Sequence, residues 1–245
     1  MMALRIEYIC ALTNLYGHVS PEKVCEIYNQ QNKKKLNLSE IEQYIQLETP
    51  KIENRYVYIY QGRFLEENFY LFEEQYKKLV TKQKNKPYYI PVKEELLKYA
   101  ELNYWEKPAE FFELETYIQA SYFPENKMMS RNLANEIFEH IQMGGIKEAL
   151  EIFEHYEIIF KDEAESGSIL YIIQRLHNNT RMKANNGYTP FELSVLTGNP
   201  SYQLPNKFPK ADEDCHCGSK KKYKDCHFES DEKIKRLDNY RASSE

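Results

Sequence analysis

Between positions 215 and 227 the chain reads Cys-His-Cys-Gly-Ser-Lys-Lys-Lys-Tyr-Lys-Asp-Cys-His. Cys215 and Cys217 are separated by one residue, Cys226 and His227 are adjacent, and eight residues lie between the two pairs. Three thiolates and an imidazole match the tetrahedral preference of Zn²⁺, and four protein ligands leave no position open for water or substrate, so the expected role is structural. Gly218 and Ser219 permit the tight turn that a one-residue chelate needs. Lys220, Lys221, Lys222 and Lys224 surround a centre of formal charge about −1 and favour the thiolate form. Adjacent ligands cannot both face one metal from a regular strand, so Cys226 and His227 are expected on a turn or a helix start, with His216 pointing away.

These residues resemble the SEC-C zinc-binding motif, Cys-x-Cys-Gly-Ser-Gly-Lys-Lys-Tyr-Lys-x-Cys-(Cys/His), which closes the bacterial Sec-pathway translocase ATPase and occurs on many otherwise unrelated bacterial proteins. Asp214 stands where a proline is usual, and Lys220 replaces the second glycine. Neither position is a ligand. The resemblance implies zinc at Cys215, Cys217, Cys226 and His227, and a small knob that docks on an export chaperone or on ribosomes. Lys220, Lys221, Lys222, Tyr223 and Lys224 are the expected contact surface. A softer likeness covers Arg181 to Leu193, which resembles a segment of Firmicutes-type proteins with a terminal SEC-C module, with Lys183 where an aromatic residue is expected.

The elements that would carry this module are mostly helical. At 245 residues, with 42% apolar and 14% aromatic side chains, the chain can bury a sizeable core. Arg5 and Glu7 interrupt the first apolar run, which lacks the core of a signal peptide, and no later run approaches the length of a membrane span. A cytoplasmic, reducing compartment is expected, which favours metal over disulfide at positions 215 to 227. Cys10 and Cys25 fall on apolar faces and are read as core. Net charge is +2 over residues 1–90, −8 over 91–205 and +1 over 206–245, so the middle is a poor surface for a nucleic-acid backbone.

The periodicity predicts a helix over 3–16, a second opened by Ser20-Pro21 and a third capped by Ser39. Tyr56 to Tyr60, the Gln61-Gly62 turn and Arg63 to Leu65 then read as a hairpin. Three helices and a hairpin is the winged-helix order. Further helices are expected at 68–80, 92–104, 108–120, 130–143, 146–160 and 163–178, with a short last one from Pro190 to Leu196 behind the capping box Thr189-Pro-Phe-Glu192. Residues 130–160 form a helical hairpin through Gly144-Gly145, with no second copy at a fixed period. The expected fold is mainly α: a winged-helix-like domain over 1–90, an all-helical domain over 91–198, a proline-bearing linker over 199–213, the zinc module over 214–229 and a tail over 230–245.

Function follows from what these parts carry. The third helix holds Glu40, Glu42 and Glu48 and no cation between Ser39 and Thr49, so it would repel phosphate. Tyr56, Tyr58 and Tyr60 could stack on bases, but packing against a helix or a partner protein is the better reading. No phosphate loop, nucleophile elbow or His-Glu-x-x-His pair is present. His140, His155 and His177 are single helical histidines, and a metal hydrolase built on them is the weakest alternative. The leading expectation is a non-enzymatic cytosolic adaptor or regulator docking through the zinc module on a protein or ribosomal partner. The alternative is a transcriptional or phage-related DNA-binding regulator acting through residues 1–90.

Overall fold

The computed structural model describes residues 2–102, 104–143, 145–197, 210–214, 221–226 and 228. The chain divides into two compact units, Met1–Thr189 and Pro190–Glu245. Among the described residues no helix is long and apolar enough to cross a membrane.

The first unit is built around α1 (Met2–Tyr16), which is apolar on nearly every side and therefore central. Tyr8, Ile9, Cys10, Ala11, Leu12 and Tyr16 are all fully buried, and Cys25 packs at the edge of the same core. The helix stops at Gly17, whose backbone φ of +80° suits glycine and whose missing Cβ would lie 2.7 Å from Leu79 and Phe69 side-chain atoms. A two-residue strand β1 (His18–Val19) follows, then α2 (Pro21–Gln31), where the Ser20 hydroxyl accepts from Lys23 N–H and Pro21 occupies the first helical position. The third helix, α3 (Leu38–Glu53), is capped by Asn37 rather than Ser39: the Asn37 side chain accepts from Glu40 N–H, and Glu40 accepts from Asn37 N–H. It also runs through Pro50 to Glu53.

The hairpin lies where the alternation placed it. β2 (Val57–Tyr60) and β3 (Arg63–Glu66) pair antiparallel, Tyr60 opposite Arg63. Gln61 and Gly62 both have positive φ, 48° and 72°, as a two-residue type I′ connection requires. β1 adds to the outer side of β3, with His18 opposite Leu65, giving the order β1-β3-β2. The helix expected over 68–80 is two: α4 (Glu67–Leu71) and α5 (Glu73–Gln83), broken at Phe72. Tyr58 stacks on Tyr70 of α4 with centroids 4.6 Å apart, and Tyr60 meets Tyr70 and Tyr76 edge-on, so two of the three hairpin tyrosines are covered from within. Tyr56 lies outside the strand and is exposed. The first core runs past residue 90, taking in Leu96, Tyr99 and Ala100 at α6 (Lys93–Lys98).

A second core joins α7 (Ala109–Ser121), α8 (Lys127–Met143), α9 (Ile146–His155) and α10 (Glu163–Asn179). Leu133, Ile137, Phe138 and Ile141 of α8 and Ala149, Ile152 and Phe153 of α9 are buried, and Leu150 of α9 is half-buried against them. Asn126, not Ser130, opens α8, its side chain accepting from Met129 N–H. Arg175 reaches both Glu110 and Glu113, and Arg131 reaches Glu115, tying α10 and α8 to α7.

Residues 181–188 fasten the two cores together. Asn186 adopts the left-handed conformation and Gly187 follows at φ +85°. Gln83 donates to the carbonyls of Tyr16 and Lys183, and Lys86 donates to Ala184 O and Asn185 Oδ1. Asn186 O accepts from Tyr89 N–H, while the Arg181 guanidinium lies 3.6 Å over the Tyr89 ring. In the second unit α11 (Pro190–Leu196) begins at the proline, as expected. The expected linker lies outside the described residues over 198–209, as does the tail from 229 onward.

Candidate metal-binding module

The described part of the module is a small cross-paired turn. Asp214 and Lys222 form an isolated antiparallel bridge. Tyr223 N–H donates to Glu213 O at 2.8 Å, and Lys224 N–H to Ala211 O at 2.9 Å. Tyr223–Asp225 form one turn of 3₁₀ helix, and Cys226 ends that turn with its N–H on Tyr223 O. Cys226 is half-buried. Cys215, Cys217, His227 and Lys220 lie outside the described residues.

Two ion pairs brace the turn: Lys222 with Asp214 at 2.8 Å and Lys224 with Asp212 at 2.7 Å. The hydrogen bond from Lys222 and then its charge hold the Asp214 carboxyl below its ordinary range, and Asp214 in turn raises the Lys222 ammonium. Both groups are exposed, so the pairs fix geometry more than they stabilise it. Asp214, the departure from the usual proline, therefore has a specific partner. The acidic run Asp212-Glu213-Asp214 was not singled out by ligand spacing; its opposite charge to the lysine run eight to twelve residues later was the available signal.

Tyr223 corrects one expectation. It was placed on a contact surface, but it is 1% exposed and meets Phe228 edge-on with centroids 5.7 Å apart. A module with so few apolar side chains buries the largest one it has. Lys221, Lys222 and Lys224 are exposed.

The donor chemistry fits a soft or borderline divalent cation. Asp214, the residue before Cys215, is bridged to Lys222, four residues before Cys226. Elsewhere, the ring of His140 bonds to Glu136 O, His155 is exposed, and burial lowers the pKa of His177. Among the described residues no three of His, Cys, Asp and Glu gather to hold a metal.

A small turn that ends in a cysteine is the class of module these features define. Residues 213–229 match the family model of the SEC-C motif, so the chain contains a SEC-C motif. No curated protein and no solved structure matched the chain.

Proposed function

We propose that the chain is a non-enzymatic adaptor or regulatory protein of the cytosol whose SEC-C module holds zinc and docks on a protein or ribosomal partner. The match at residues 213–229 carries this reading. Cys215, Cys217, Cys226 and His227 would hold the ion, which supplies rigidity that the module's few apolar groups cannot. Structural zinc binds such peptides with apparent free energies of about 10–16 kcal/mol. Lys220 and Lys221, with Lys222 and Lys224 exchanging their exposed aspartate partners, would present positive charge to an anionic surface.

Elemental analysis of the full chain, purified under reducing conditions, should give one zinc per chain, and Cys217→Ser should abolish it. Far-UV circular dichroism should change little, because α1 to α11 all lie before residue 198. Co-sedimentation with purified ribosomes should depend on the same cysteine. A wild-type protein free of metal would end this reading.

The element order α1-β1-α2-α3-β2-β3 supports a winged-helix-like first domain. Its surfaces favour protein over DNA. Arg5 and the Asn37 cap engage Glu40 on α3, and Tyr58 and Tyr60 are occupied by α4 and α5. The DNA-binding alternative requires duplex affinity falling steeply with salt.

A further inference from the structure

Within the first unit a cavity of about 220 Å³ opens between the two cores. Arg55, Tyr56, Glu101, Tyr104 and Trp105 are among its lining residues. Most of its other charges are spent: Lys183 pairs with Glu66, Arg181 with Glu106, and Glu67 accepts from Tyr58. Arg55 and Glu101 differ. Among the described residues no carboxylate is within ion-pair distance of Arg55, whose neighbour is the Cys10 thiol, and no cation is within that distance of Glu101. Both also line the open groove next to the cavity, yet they do not pair with each other. One positive and one negative group therefore share the cavity without a charged partner.

The uncharged lining combines four aromatic rings, Tyr56, Tyr99, Tyr104 and Trp105, with Leu15, Leu102 and three side-chain amides. Trp105 and Tyr56 are 43% and 53% exposed, and Tyr104 stands edge-on to the buried Tyr99. Tyr56 is held at φ +58°, a conformation that bulky residues rarely adopt and that gathers at ligand clamps. Aromatic walls beside charged groups that have no charged partner suit a small ligand that is itself both apolar and charged.

We infer that this cavity binds a zwitterion of the α-amino-acid class with an apolar or aromatic side chain. Its carboxylate would face Arg55 as a charge-assisted acceptor, its ammonium Glu101, and its side chain the Tyr56, Tyr104 and Trp105 rings. A simple anion would leave Glu101 without a partner and a simple cation would leave Arg55 so.

Trp105 is the chain's single tryptophan, so its fluorescence reports on the site directly. Titration of the full chain with L-phenylalanine should give a saturable change. Phenethylamine and 3-phenylpropionate, each lacking one charge, should bind about tenfold more weakly or worse. Arg55→Gln and Glu101→Gln should each weaken L-phenylalanine to a similar degree; if Arg55→Gln unfolds, the exposed Glu101 and the ligand series on the wild type still decide. No saturable change with L-phenylalanine, or 3-phenylpropionate binding as tightly, would overturn the inference.

Discussion

A β-carbon at position 187 would lie 3.1 Å from Leu15 Cγ and Tyr16 Cε1, on a backbone with φ +85°. Gly187→Ala should therefore lower stability by about 2–4 kcal/mol, read from urea denaturation. His18 is equally constrained. Arg63 Nε donates to its Nδ1, and burial, then the Arg63 charge, pushes its pKa from 6.5 down to about 4. The unfolded chain takes up this proton below pH 6.5, whereas the fold resists it until about pH 4. His18 should thus cost stability as pH falls through that window, on the order of 3 kcal/mol in all, and nothing above it. His18→Gln should flatten that part of the stability curve. At this scale the SEC-C motif could be read from the identity and order of its residues. The burial of Tyr223 could not, because Lys-Lys-Lys-Tyr-Lys looks like a solvated run until its pairing with residues 211–214 is known.

The start of α3 distinguishes the expected cap, Ser39, from the residue that makes the capping bonds, Asn37. Asn37→Ala should cost about 1 kcal/mol, while Ser39→Ala, one residue inside α3, should stay within about 0.5 kcal/mol of wild type in the same unfolding assay. The long apolar periods predicted α1, α8 and α10 well, and the Gln61-Gly62 turn predicted the hairpin. What could not be read was short or tertiary in origin. β1 has two residues, too few to alternate, and exists because β3 offers it an edge. The break between α4 and α5 falls at Phe72, with no Pro or Gly to announce it. Tyr58 and Tyr60 fall on the hairpin as the alternation predicts, but only the ring contacts with Tyr70 and Tyr76 show which helices cover them.

Two hydrophobic cores within one unit would ordinarily permit separate melting, yet residues 181–188 bond to elements of the first core while continuing directly from α10 of the second. Chemical unfolding of the full chain should accordingly follow one transition for the helical signal, coincident with Trp105 fluorescence. Gln83→Ala, which strips donors from the carbonyls of Tyr16 and Lys183, should shift that midpoint by about 1–3 kcal/mol. The position of Gly187 against Leu15 and Tyr16 also sets a schedule for biosynthesis. Once α1 has left the ribosome it meets Gly187 only after some 170 further residues are translated, a wait on the order of ten to thirty seconds at ordinary elongation rates. Throughout that interval the flank of α1 destined for Gly187 stays uncovered on the nascent chain, the period in which holding chaperones would find it.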